Sequence, residues 1–274
     1  MVPRDPMETS MKPHTQHLAR WRPLAVAAAI AAGLAAPASA DEADAKRLLK
    51  AMSDYMAAQT TVSFDYDSNL DVVTAEGLKI GLASSGTIAL ERPNKLRVTR
   101  HGGFADVELV FDGETAALYG KGQNAYATVA APGTVGALVD TLRDTYHLPI
   151  PGGDLLAADG PEALMPMIKQ VLDLGSGVIG GVECDHIAVR GEDVDLQVWI
   201  AQGDAPHPCR VAISSPGVAG QPQYTVTISD WKAGDAVGAV DYTFTPPAGA
   251  TEVKIDTMTD IDELPSQFTP GEAK

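Results

Sequence analysis

Between residues 78 and 90 the aliphatic side chains Leu78, Ile80, Leu82, Ile88 and Leu90 all fall on even positions. Successive side chains of a strand point to opposite faces, so this parity defines a long strand with one dry face. The period recurs on both sides. Phe64, Tyr66, Leu70 and Val72 alternate with Asp65, Asp67, Asn69 and Asp71, and Ala105, Val107, Leu109 and Phe111 alternate with Asp106, Glu108 and Val110. Asp112-Gly113 then gives a tight-turn signal. Such alternation requires an antiparallel sheet, wet on one side, whose dry side is buried against a second layer.

Helical spacing supplies that layer. Ala45, Leu48, Leu49, Met52, Tyr55, Met56 and Gln59 recur at intervals of three and four, which predicts an amphipathic helix over 42–59. Val135, Leu138, Val139, Leu142 and Tyr146 predict another within 134–147. A third helical patch runs from Pro161 to about Leu172, with Asp159 and Glu162 placed as a capping pair. Further strands are expected at about 182–190, 194–201, 209–214, 223–231 and 240–244. The order is helix, strands, helices, strands, so the fold class is α+β with a meandering antiparallel sheet. The first helix and the central helices are its expected covers.

Residues 1–40 read as a secretory signal peptide. Arg20 and Arg22 precede a run from Leu24 to Ala36 that is apolar apart from Gly33, and Ala38-Ser39-Ala40 closes it. The run is well short of the ~20 apolar residues that span a bilayer. No cysteine lies near the cut, so an acylated-lipoprotein anchor has no acceptor. Residues 41–274 are then expected to form a single exported domain, soluble in the periplasm, with a short acidic tail from about 256 and no transmembrane segment.

The whole chain carries a formal charge of −16. Removing 1–40 takes away Arg4, Lys12, Arg20 and Arg22 but only Asp5 and Glu8, which leaves −18. Such a surface repels phosphate backbones, and nucleic acid is not an expected partner.

The motifs that might carry chemistry are weak. Gly175-Ser176-Gly177-Val178-Ile179-Gly180 fits G-x-G-x-x-G, but a strand-like run, VECDHIAV, follows it in place of a helix. It is expected to be a glycine turn leading into a strand. There is no G-x-S-x-G elbow, and Asp65, Asp67 and Asp71 share the wet face of one strand. No enzyme and no cofactor are expected.

Cys184-x-His186 and His207-x-Cys209 form a mirrored set for which three arrangements are open: a disulfide, two buried thiols, or a metal site. An exported chain favours the bridge. Simple hairpins would hold the cysteines two strand spacings apart, ~9.6 Å and beyond disulfide reach, unless Cys209 bends out of its sheet beside Pro208.

Three stretches together resemble the periplasmic outer-membrane lipoprotein carriers of the LolA type. They are ERPNKLRVT, VFDGETAALYGKGQNAYATV and DYTFTPPAGATEV. The chain is also similar to an uncharacterised branch of exported bacterial proteins of that fold, over most of 42–255. The resemblance implies an incomplete antiparallel β-barrel, helices that roof its concave face, and an apolar cavity for acyl chains. It also implies that the arginine of the Arg-Pro pair, Arg92 before Pro93, holds the lid by hydrogen bonds.

Four cations, Arg92, Lys95, Arg97 and Arg100, cluster at that pair. By parity Lys95 and Arg97 are solvated and are expected to pair with the acidic strand around Asp65 to Asp71. Arg100 has the dry parity and is expected to reach the rim near Gly102-Gly103. The expected cavity wall is Phe64, Tyr66, Leu70, Leu78, Ile80, Leu82, Leu96 and Val98, with Arg92 at the rim. The expected lid residues are Leu138, Val139, Leu142, Leu164, Met165 and Ile168, with Met167 as an adaptable neighbour. The leading reading is a carrier or binder of a lipid or other apolar small molecule. The alternative is a structural module with a filled core and a cell-envelope protein partner.

Overall fold

The structure, a computed structural model, describes residues 42–148, 150, 153–156 and 168–261. The expected signal peptide, the lid residues Leu164 and Met165, and Met167 lie outside the described residues. So do the capping pair Asp159 and Glu162 and the helical patch up to 167.

Helix α1 (Glu42–Ala58) comes first. Six strands follow: β1 (Thr61–Val73), β2 (Lys79–Glu91), β3 (Lys95–Gly102), β4 (Asp106–Phe111), β5 (Thr115–Gly120) and β6 (Ala125–Ala130). Helix α2 (Val135–Asp144) and a 3-10 turn (Gly153–Leu156) separate them from a second set. That set is β7 (Gln170–Ile179), β8 (Val182–Arg190), β9 (Asp195–Ala201), β10 (Pro208–Ser214) and β11 (Gln223–Ala233). A two-residue strand, β12 (Thr251–Glu252), closes the series.

All twelve strands belong to one open sheet of order β12-β6-β5-β4-β3-β2-β1-β11-β10-β9-β8-β7. Every neighbouring pair is antiparallel except β12 with β6, which is parallel. Two meanders are thus joined at their seam, where β11 returns to pair with β1 from Leu70↔Tyr224 to Val62↔Ala233. The result is the expected α+β architecture, a curved open sheet not closed into a barrel.

The even-parity residues of β1 and β2 make the inner face, as their register shows: Phe64 faces Ile88 and Leu70 faces Leu82. Both helices pack on that face. Leu49, Met52 and Met56 of α1 bury against Ile187, Val198, Ile200 and Val211 of β8–β10. Each such side chain contributes roughly 1.5–3 kcal/mol relative to exposure. Val135, Leu138 and Leu142 of α2 bury against the other half, among Leu96, Phe111 and Val129. Thr134 caps α2, its Oγ1 accepting from the Ala137 amide at 3.3 Å.

Several segments differ from expectation. Residues 240–244 are not a strand. They cross the outer face, where Phe244 meets the rings of Tyr119 and Tyr126 at 6.3 and 5.3 Å and Tyr242 is buried. Val110, Ala117 and Tyr119 are buried beneath, so β4 and β5 bury side chains on both sides there, while β6 keeps an exposed outer face. The glycine stretch 175–180 lies mostly within β7, which also takes the end of the expected third helix, and the turn is Gly180-Gly181. The fold also runs past 256, since Met258 is buried in the core of the first meander.

Candidate functional site

A hollow of about 170 Å³ lies between the inner face of the sheet and its roof. Phe64, Tyr66, Leu96, Val98 and Leu142 line it, all expected from the sequence. Val139 of α2 lines it as well. Five expected residues do not. Leu70, Ile80 and Leu82 share the inner face but occupy the far end of the β1–β2 ribbon, away from the hollow. Leu78 sits before β2 begins and is 62% exposed. Leu138 is fully buried in the core beside the hollow. Ile168, expected in the lid, packs with the α1 cluster and not against the hollow.

The sequence did not disclose half of the wall. Tyr224, Val226, Ile228 and Trp231 reach the hollow from β11, and Leu148, Ile150 and Leu156 from the segment after α2. The pairing of β11 with β1 is a long-range event that no local pattern marks. Val107, Leu109 and Leu118 carried the right parity, and their place opposite α2 was missing.

Tyr66 shapes the wall through a glycine. Its ring lies over Gly86 of β2, where an added Cβ would fall 2.8 Å from the ring and 1.9 Å from the Thr99 carbonyl oxygen. The Tyr66 hydroxyl crosses that gap and donates to the Thr99 carbonyl at 3.1 Å. The phenol therefore presents an apolar face to the hollow while its polar end is satisfied by the backbone.

Arg92 stands at the rim, and its partners explain why. Its Nε donates to the Gln59 carbonyl at 3.1 Å, Nη1 to the Leu156 carbonyl at 2.5 Å and Nη2 to the Met56 carbonyl at 3.5 Å. Met56 and Gln59 lie at the C-terminal end of α1, where carbonyls lack intrahelical partners, although the Met56 carbonyl also takes the Gln59 amide at 3.3 Å, and Leu156 ends the 3-10 turn. Helix C-termini are negative, and α1 has no basic residue in its last turn, so Arg92 supplies the cation from outside. Burial lowers its pKa from the ordinary value, without discharging it. The next residue, Pro93, accepts at its carbonyl from the Val135 amide at 3.0 Å, which anchors the start of α2. One corner between β2 and β3 thus holds α1, α2 and the 3-10 turn.

The other cations of that corner have local partners. Lys95 pairs with Glu91 at 2.8 Å and Arg97 with Glu108 at 2.5 Å, not with the β1 aspartates. Arg97 also donates to the Asp241 carbonyl at 2.6 Å, which ties down the outer crossing. Arg100 does not reach the rim. It is 7% exposed and lines the hollow, its guanidinium 5.7 Å from the Phe104 ring centroid.

Trp231 joins the two halves. It stacks on Phe64 at 5.5 Å and on His207 at 4.8 Å, and its Nε1 donates to the Tyr55 hydroxyl of α1 at 3.3 Å. Burial lowers the His207 pKa below its usual value.

The cysteine geometry turns on a bulge. The β9–β10 register shifts between Pro208 and Arg210, so Cys209 leaves the alternation. It joins Cys184, Ile179 and Ala201 in a small buried cluster, with the two sulfurs 2.7 Å apart. This is the bend beside Pro208 that a bridge was expected to need, and the two cysteines stand here as buried free thiols. Burial also pushes the Cys209 thiol pKa far up. The histidines of the mirrored set diverge, His186 stacking on Trp199 at 4.1 Å and His207 on Trp231. Among the described residues no three His, Cys, Asp or Glu side chains gather to hold a metal.

A curved open sheet whose concave face is roofed by helices over an apolar hollow defines a half-barrel. The chain belongs to the family DUF2092, described as a predicted periplasmic protein, whose model matches residues 45–256. The protein is accordingly periplasmic. No curated protein matches it. Similar solved structures include an uncharacterised conserved protein from Thermus thermophilus (11% identity, TM-score 0.45, 77% of this chain and 99% of that one). Others are LprF from Mycobacterium bovis (14%, 0.42, 74% and 97%) and a LolA superfamily protein from Nitrosomonas europaea (11%, 0.33, 73% and 99%). Among the described residues no helix is long and apolar enough to cross a membrane.

Proposed function

We propose that this protein is a non-enzymatic binding protein that shelters a lipid chain or other apolar group beneath its roof. The observation that carries the proposal is the apolar hollow under a roof that Arg92 holds through backbone carbonyls. Volume sets the mechanism. A cavity of roughly 150 Å³ accommodates benzene, while drug-sized ligands occupy about 300–1,000 Å³. At about 170 Å³ the hollow takes a short apolar segment as it stands. Each buried CH₂ contributes ~0.8 kcal/mol, so a long acyl chain gains far more, provided the roof lifts. Arg92 resists that lifting and, in this reading, acts as the latch.

The protein is tested by purification from the periplasm under non-denaturing conditions, native mass measurement and solvent extraction. A co-purifying lipid, or saturable uptake of a fluorescent fatty acid, supports the proposal. An empty protein that ignores such probes overturns it and favours an envelope interaction module. One observation speaks for that second reading: Leu172, Leu174, Val178 and Val182 are exposed on the β7–β8 hairpin at the edge of the sheet.

A further inference from the structure

The two borders of the sheet are unlike. One ends in β12, which has two residues. The other is β7, ten residues long, whose single strand neighbour among the described residues is β8. Its free side carries a row of main-chain amides and carbonyls that point out of the sheet. Such borders are usually guarded by lysine, proline or a covering element. The β7 sequence, QVLDLGSGVI, has neither lysine nor proline. Its register shifts once, between Asp173 and Ser176, where the Gly175 amide donates to Asp173 Oδ1 at 2.8 Å. Straight runs remain on both sides of that bulge, at 170–173 and 176–179. The exposed aliphatics of β7 lie on both faces. Asp173, Ile187 and Val198 form a row on the α1 side, so Leu172, one residue before it, points outward. Ser176, Asp185 and Ile200 form another row on the α1 side, so Val178, two residues on, points inward. Leu172 is 40% exposed and Val178 is 64% exposed. A strand laid along this edge meets an aliphatic side chain above the sheet and another below it.

We propose that the β7 edge is a docking site for an extended, basic segment of another envelope protein, which joins the sheet as one more strand. Main-chain hydrogen bonds supply the attraction, and alternate side chains of the segment pack beside Leu172 and Val178. Charge selects the occupant. Residues 169–204 carry seven Asp and Glu against Lys169 and Arg190, a net charge of −5. Both cations already face acids, Lys169 with Glu192 at 3.6 Å and Arg190 with Asp195 at 2.8 Å. A second copy of the chain brings the same acids against themselves, while a basic segment meets its complement. No residue of β7 lines the hollow, so this site stands apart from the binding function proposed above.

The test uses the full protein and fluorescein-labelled decapeptides in which valine alternates with lysine, serine or glutamate. By fluorescence anisotropy the lysine peptide is expected to bind saturably and about tenfold or more tighter than the serine peptide, with the glutamate peptide weakest. Proline in place of a central valine should weaken the lysine peptide, because it removes a ladder amide. Hydrogen exchange of the β7 amides should slow when the lysine peptide is bound. Leu172→Lys combined with Val178→Lys sets cations on the edge and should weaken the lysine peptide about tenfold or more, with fatty-acid uptake by the hollow unchanged. The wild-type exchange pattern stands even where that variant fails to fold. Equal binding of the lysine and glutamate peptides overturns the inference. Binding without slowed exchange in β7 also overturns it, because the peptide then sits elsewhere. A dimer in sedimentation that the double variant dissolves assigns the edge to a second copy and overturns it as well. If no peptide binds, the inference falls, and fatty-acid uptake in the same sample still decides the function of the hollow.

Discussion

The Arg92 guanidinium donates to the carbonyl of Leu156, 64 residues further along the chain, at 2.5 Å. The contact fixes the turn that roofs the hollow to the corner that starts β3. Replacing Arg92 by Leu strands carbonyls at the ends of two helical elements. The expected loss is about 2–4 kcal/mol, because each bond to a charged donor contributes roughly 1.5–3 kcal/mol and the site is part-exposed. The midpoint of urea unfolding measures it, and uptake of a fluorescent fatty acid should become faster in the same variant. A change below about 0.5 kcal/mol with unaltered uptake removes the latch.

Val98 is half-buried and lines the hollow, so Val98→Phe should fill space without breaking a hydrogen bond. Fatty-acid probe affinity is expected to fall about tenfold or more while stability changes by less than about 1–2 kcal/mol. Full affinity in the variant would place the ligand elsewhere.

Gly86→Ala should be among the most damaging single changes. Its methyl group would overlap the Thr99 carbonyl and the Tyr66 ring. A loss of more than about 3 kcal/mol, or no soluble protein, is expected. Removing the ring does not free the carbonyl, so Tyr66→Ala should not rescue it, which expression of the double variant checks.

The two buried sulfurs should be bridged when the protein is recovered from an oxidising periplasm. Intact mass with alkylation before and after reduction decides this. The bridge would close a loop worth roughly 3 kcal/mol, so Cys209→Ser should melt earlier by a comparable amount. Ready alkylation of both thiols in the untreated native protein would show that no bridge forms.

His207 sets an acid limit. Its folded pKa lies below the ordinary 6.5, so the folded state favours the neutral ring. Above that value both states are neutral and the stacking on Trp231 is fully available. As pH falls below about 6.5 the unfolded chain takes up the proton first, and stability declines until the folded ring also charges. Thermal melts across that range should show the slope in the wild type and a shallower one in His207→Gln. Identical slopes would assign the acid sensitivity to other groups.

What the sequence disclosed follows the range of the interactions involved. The spacing of Leu49, Met52 and Met56 and the parity of Phe64 and Tyr66 are local, and they marked α1, β1 and the inner face correctly. Arg92 was recognisable through its motif, although none of its three carbonyl partners was. Local pattern could not show that Trp231 shares a wall with Phe64, because their strands meet only after the second meander has returned. It misjudged Leu78, whose even position continues the parity of β2 one residue past the strand's end. It also set Arg100 at the rim, although the residue is buried and lines the hollow. Val110, a lone aliphatic in a wet series, was the trace of the outer crossing by Tyr242 and Phe244.

The seam between β1 and β11 has a consequence for biogenesis. A protein threaded outward from its N-terminus delivers β1 long before β11, so the first meander emerges with one flank of its longest ribbon bare. Zippering that flank is a late, non-local step, which slows maturation and leaves an adhesive border open meanwhile. Envelope chaperones that clasp such borders should therefore matter more for this chain than its modest size suggests.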